Sequence, residues 1–156
     1  MRAVVQRCDG ASVRVAGQEV GSFTGPGLLV LLGIARGDTA TQGDRIATKL
    51  WGMRLFSPDH CRDQLQLSAE QTRELSAADL SLPILVISQF TLYGRTDKGR
   101  RPTWEDAATG AEAEPLVDHV IAKLRDLGAD VATGVFGADM RVSSTNDGPM
   151  TLIVEA

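Results

Sequence analysis

Two short apolar runs constrain this chain more than anything else in it. Leu28-Leu29-Val30-Leu31-Leu32 lies between glycines, and Ile84-Leu85-Val86-Ile87 follows Pro83. Unbroken apolarity of this length, closed off by turn-formers, reads as a buried strand. Around these runs the pattern alternates. Ala3 to Gln6 predicts a first strand, and Ser12 to Val15 with Val20 to Phe23 predicts a hairpin turning at Ala16 to Glu19. Gly25-Pro26-Gly27 reads as a turn feeding the Leu28 strand. Val131 to Val135, Met140 to Ser143 and Met150 to Val154 predict three more strands.

Two segments carry helical spacing. Asp38 or Thr39 can cap a helix running to about Trp51, with Ile46, Ala47, Leu50 and Trp51 on its apolar face. Ala113 to Leu127 is the clearest helix: Leu116, Val117, Val120, Ile121, Leu124 and Leu127 form one stripe, and Gly128 is a natural stop. Thr103 to Asp106 has the spacing of a short capped helix, and short helical stretches are expected near 69–75 within the polar segment 57–82. The expected fold class is α+β, one domain over 1–156, with mainly antiparallel sheet in a barrel-like core and two main helices.

Composition narrows the function. The formal net charge of −4 argues against a protein that coats nucleic acid through a broad basic face, but allows a local basic patch gripping one end. No apolar run approaches the roughly 20 residues that span a bilayer, and MRAVVQRCDG is too short in apolar residues for a signal peptide, so a cytoplasmic protein is expected. Cys8 and Cys61 stand far apart, with no CxxC pattern. Asp59-His60-Cys61 is the one local cluster of metal-ligand types and has no second half, so neither a metal nor a cofactor is expected.

Four stretches carry candidate chemistry. Ser88-Gln89-Phe90-Thr91 follows the second apolar run, where Thr91 could act as a nucleophile or the backbone N–H groups of Gln89 and Phe90 could hold an oxyanion. A weak hydroxyl needs a base. The two histidines are poorly placed, His119 on an amphipathic helix and His60 in an irregular segment, which favours the oxyanion role. Gly94 to Pro102 holds Arg95, Lys98, Arg100 and Arg101, cations suited to phosphates. Phe136 and Met140 flank a turn and serve either as core or as a base-stacking pair. Asn146-Asp147-Gly148-Pro149 looks like a tight turn, and its Gly-Pro bond is one of the few that can be cis at modest cost.

Taken together, these stretches resemble the D-aminoacyl-tRNA deacylase family. The resemblance runs in order through Ala3-Val4-Val5-Gln6-Arg7, Gly25 to Gly33, Arg54-Leu55-Phe56, Ser88 to Leu92, Lys98 to Pro102, Thr133-Gly134, Phe136 to Met140, Asn146 to Pro149 and Thr151. It implies a homodimer that hydrolyses the ester joining a D-amino acid to the 3′ acceptor end of tRNA, with no membrane or DNA partner. It further implies that a cis Gly148–Pro149 pair reaches into the partner subunit's site, where its carbonyl oxygens meet the substrate's α-amino group and its wall rejects an L side chain. Glycyl-tRNA would pass such a filter. Arg7 would lock the Gly-Pro loop, the tRNA 2′-hydroxyl would help activate water, the terminal adenine would sit near Phe136 and Met140, and the basic loop would lie near acceptor-end phosphates. The chain departs from the family at 57–82, which is longer than the usual hairpin and lacks its Gly-Lys-Met-Asn stretch. Two rivals stand beside this reading: a Thr91-nucleophile hydrolase of another ester, and a non-catalytic dimeric tRNA-binding module.

Overall fold

The computed structural model describes the backbone of all 156 residues and every side chain except those of His60, Arg62 and Asp63. The His60 side chain of the Asp59-His60-Cys61 cluster therefore lies outside the described residues. In chain order the elements are β1 (Arg2–Val15), β2 (Gln18–Gly33), α1 (Ala40–Gly52), β3 (Arg54–Phe56), α2 (Pro58–Leu65), β4 (Leu75–Ser76), α3 (Ala77–Leu80) and β5 (Ile84–Ser88). A 3-10 turn (Phe90–Tyr93), α4 (Gly110–Asp126), β6 (Val131–Thr133) and β7 (Met140–Glu155) complete the chain. The main sheet has the order β6-β5-β2-β1-β7. β2, β1 and β7 pair antiparallel, whereas β5 joins β2 and β6 in parallel.

The two apolar runs lie side by side, Leu28 to Leu31 opposite Ile84 to Ile87. Successive side chains leave a strand on opposite faces, and here both faces are covered. Leu28, Val30, Leu32, Ile84 and Val86 enter the core beneath α1 and α4, with Ile46, Leu50, Val120 and Leu124. Leu29, Leu85 and Ile87 enter a second core with Cys8, Val13 and Phe23. The outer half of the β1–β2 hairpin curls over this second core until Gly21 meets the backbone of Thr133, where a Cβ on Gly21 would collide with the Thr133 carbonyl oxygen. That curl is the barrel-like part of the fold.

The helices follow their caps. Thr39 and Gln42 close a capping box at the start of α1, and Thr109 and Glu112 close one at the start of α4. α4 ends where expected, with Gly128 at φ +97°, although Leu127 is exposed and lies off the buried stripe. No helix among the described residues is long and apolar enough to cross a membrane.

Several local expectations are corrected. Gly25-Pro26-Gly27 is not a turn but part of the continuous strand β2, with Pro26 opposite Asp9. Gly10 and Gly25, at φ +85° and +72°, absorb a register shift without ending the ladder. The helices in 57–82 are Pro58–Leu65 and Ala77–Leu80 rather than 69–75. Pro58 suits a first helical position, and Ser76 forms a capping box with Asp79. Thr103 to Asp106 is a turn, because Thr103 exchanges backbone hydrogen bonds of 2.8 and 3.2 Å with Arg95.

Asn146 to Pro149 is likewise not a turn between two strands. β7 runs through it as one strand bearing a large bulge. Gln6 faces Thr151 and Cys8 faces Asn146, so Arg7 alone opposes Asp147, Gly148, Pro149 and Met150. The Gly148–Pro149 bond is cis. Arg7 is 3% exposed, and its Nε donates to the Asp147 carbonyl at 2.9 Å while lying 3.1 Å from Asp147 Oδ2. Its Nη1 donates to the Leu55 carbonyl at 2.7 Å. Thr151 Oγ1 accepts from Asn146 Nδ2 at 3.1 Å and Gln6 Nε2 at 3.3 Å, closing the base of the bulge. Arg7→Met removes a buried cation from a largely buried carboxylate and is expected to cost about 3–5 kcal/mol in urea unfolding. Arg7→Lys is expected to recover only part of that, since an ammonium keeps the charge without the fork.

Candidate active site

The site is built where β5 stops. Gln89 N–H donates to the Leu32 carbonyl at 2.7 Å, the last rung between the two apolar strands. The chain then tightens into the 3-10 turn. Gly33 leaves room for it: a Cβ there would stand 3.0 Å from the Gln89 carbonyl oxygen and 3.1 Å from Leu92 Cβ. Arg2 clamps the far side. Its Nη1 donates to the Leu92 carbonyl at 2.9 Å, and its guanidinium lies 5.1 Å from the centre of the Tyr93 ring.

A cavity of about 530 Å³ opens beside this turn, a size suited to a nucleoside-sized ligand. Ser88, Gln89 and Phe90 line one side, and Phe136, Asp139 and Met140 line another. Two stretches nearly fifty positions apart in sequence thus form one cleft. Gly134 seats the Met140 thioether, since a Cβ on Gly134 would strike Met140 Sδ and approach Ile87 Cδ1 at 3.1 Å. Asp139 adds a hydrogen-bond acceptor to the apolar lining that sequence reasoning had passed over as part of a turn.

Polar groups near the turn are accounted for. The Gln89 side chain donates to Thr91 Oγ1, and Thr91 is exposed outside the cavity lining. Because Gln89 N–H is held by Leu32, the expectation that it serves an oxyanion is corrected. The first amides of the turn are those of Phe90 and Thr91, and the opening amides of a helical turn have no partner within it. Burial pushes the Tyr93 hydroxyl up to about 12, with Asp38 adding to the effect, so it stays protonated near neutrality. Burial also raises the Cys8 and Cys61 thiols, which disfavours thiolate chemistry. His119 Nε2 lies 3.0 Å from Asp44 Oδ1, tying α4 to α1.

The remaining candidates lie outside the cavity lining. Asn146, Gly148 and Pro149 sit on the β7 bulge and do not line this protomer's cavity. Of the basic loop, Arg95 is structural. It donates to both carboxylate oxygens of Asp106 at 2.6 Å and to Glu105 at 2.8 Å, and holds the Asp106 carboxyl below the usual carboxylate range. Lys98, Arg100 and Arg101 remain exposed on the loop. Beside it, Phe90 and Trp104 form an edge-to-face pair with ring centroids 5.7 Å apart. Trp104 is a residue the sequence reading had assigned only to a short helix.

The chain is similar to known proteins over nearly its whole length. The family model for D-Tyr-tRNA(Tyr) deacylase matches residues 4–155. A D-aminoacyl-tRNA deacylase of Streptomyces coelicolor is 56% identical over 155 residues, covering 99% of each chain. One of Cutibacterium acnes is 51% identical over 155 residues, covering 99% of this chain and 97% of its own. Among solved structures, the c-Myc DNA Unwinding Element Binding Protein superposes with a TM-score of 0.86 at 33% identity, over 100% of this chain and 99% of its own. The chain belongs to the D-aminoacyl-tRNA deacylase family, hydrolases that act on the ester bond of aminoacyl-tRNA.

Proposed function

We propose that the protein removes D-amino acids from tRNA by a mechanism built from backbone groups. The carrying observation is that the Ser88–Phe90 end of β5 and the Phe136–Met140 turn share one cavity. The terminal adenine lies against Phe136 and Met140, which places the ester beside Ser88, Gln89 and Phe90. Water adds to the ester carbonyl carbon, the C–O bond to the ribose breaks, and the ribose oxygen takes a proton, giving free D-amino acid and tRNA. The backbone amide of Phe90, which lines the cavity, stabilises the oxyanion of the tetrahedral intermediate, a role whose loss typically costs about 10²–10³ in rate. The tRNA's own 2′-hydroxyl assists the attacking water.

Chirality is read by the bulge. Asn146, Gly148 and Pro149 of one protomer enter the cleft of its partner, where main-chain carbonyls accept from the substrate's α-ammonium and the adjoining wall rejects an L side chain. Specificity of this kind is a clash built against the wrong partner. Arg7 supports the reading by holding the bulge from beneath. The dimer forms through β7, an edge strand with Leu152 exposed and Ile153 69% exposed, since an apolar edge is a surface for strand pairing. Lys98, Arg100 and Arg101 meet phosphates of the acceptor end. The work is done in the cytoplasm, where aminoacyl-tRNA is used.

Purified protein is expected to strip label from D-tyrosyl-tRNA and leave L-tyrosyl-tRNA intact, with glycyl-tRNA also cleaved. Cleavage of both enantiomers at equal rates rules out the filter. Thr91→Ala is expected to retain most of the deacylation rate, whereas abolition of turnover in a folded variant favours a Thr91 nucleophile on this ester. Ile153→Lys is expected to shift the protein from dimer to monomer in light scattering and to lower deacylation with it.

A further inference from the structure

The exposed aromatic pair beside the basic loop is not used by the chemistry above. Phe90 is 58% exposed and Trp104 is 42% exposed, although both are large and apolar. Their placement is fixed rather than incidental. Phe90 belongs to the 3-10 turn and lines the cavity. Trp104 packs edge-to-face on it at 61°. The indole also lies over Gly94, where a Cβ would stand 3.5 Å from Trp104 Nε1 and 3.1 Å from the Thr91 carbonyl. The residue before Trp104 is held by the paired backbone hydrogen bonds of Arg95 and Thr103, and the two after it by the Arg95 guanidinium. This firmly held shelf adjoins the mouth of the cavity, and Lys98, Arg100 and Arg101 share its loop.

Exposed aromatic faces next to cations are the means by which proteins hold unpaired nucleotides: bases stack and phosphates are neutralised. Phe90 borders both the cavity and the shelf, so Trp104 stands one side chain away from a 3′ end bound in the cavity. We propose that Trp104, backed by Phe90, is the stacking site for the nucleotide preceding the terminal adenosine of the substrate's single-stranded 3′ end. The proposal rests on the reading that seats the terminal adenine at Phe136 and Met140. It assigns Trp104 to substrate binding, not to the ester chemistry.

The test uses the full chain carrying Trp51→Phe, so that Trp104 is the only indole. The probe is an acceptor-stem RNA hairpin with a single-stranded 3′-ACCA end, compared with the same hairpin bearing an abasic ribose at the penultimate position. The intact hairpin is expected to quench Trp104 fluorescence, and the abasic one is expected to bind more weakly with little quench. With D-tyrosyl-tRNA, Trp104→Ala is expected to raise KM about 5- to 100-fold with kcat little changed, and Trp104→Phe to stay within about threefold of the parent. D-tyrosyl adenosine, which has no preceding nucleotide, is expected to be cleaved equally by all three. Equal quenching by the two hairpins, no quenching by either, or an unchanged KM in Trp104→Ala overturns the shelf. If the parent protein cleaves neither ester, the deacylase mechanism falls, while the quenching comparison still decides the shelf, with Trp104 in place.

Discussion

Everything at the site depends on where β5 ends, and β5 is fixed by burial on both faces. Its first four residues alternate between the two cores, and the fifth, Ser88, lines the cavity. A slip of one residue would send every side chain into the wrong layer. Ile84 and Leu85 are fully buried, and Val86 and Ile87 nearly so, so a slip would displace all four from cores packed to fit them. The register of the last rung, Gln89 N–H to Leu32, is therefore set by hydrophobic layers well away from the ester. The proposed action through a backbone amide needs such an anchor, because an amide has no side-chain torsion with which to correct its aim.

The β7 bulge is anchored by a different kind of force. Four residues facing one cannot be held by ladder hydrogen bonds, and a buried guanidinium replaces them. Its planar fork reaches the Asp147 carbonyl and carboxylate on one side and the Leu55 carbonyl on the other. Leu55 belongs to β3, so the small β3–β4 sheet takes part in supporting the bulge. This gives the atypical 57–82 segment a structural place, since β4 within it pairs with β3. No described residue of 57–82 is among those lining the cavity.

What was legible in the sequence was whatever local periodicity encodes. Leu28 to Leu32, Ile84 to Ile87, α1 and α4 all formed as read, because burial faces and caps lie within the segment itself. The Ser88–Phe90 and Phe136–Met140 stretches were recognisable as motifs, and the fold brings both to one cavity. What failed was the reading of glycine and proline as breaks. Gly25-Pro26-Gly27 and Asn146 to Pro149 are irregularities inside long strands, and the partners that keep those strands going lie far away in sequence, at Asp9 and Arg7. No local rule separates a turn from a bulge when the deciding partner lies 17 positions off, as Asp9 does from Pro26, or 140, as Arg7 does from Asp147. Trp104 escaped for a related reason: its neighbours Glu105 and Asp106 resembled helix-capping acids, but Arg95 binds both.

The same distribution of charge explains why the protein can be acidic overall and still address RNA. Arg2 is taken up by Glu155, Arg7 by Asp147 and Arg95 by Glu105 and Asp106. Those cations shape backbone. Exposed Lys98, Arg100 and Arg101 stand close together on one short loop. A net charge of −4 then disfavours coating of nucleic acid elsewhere on the surface, while on the proposed reading this loop attracts the phosphates of one strand end. Weak attraction overall and strong attraction locally suit an enzyme that must release each tRNA once its ester is gone.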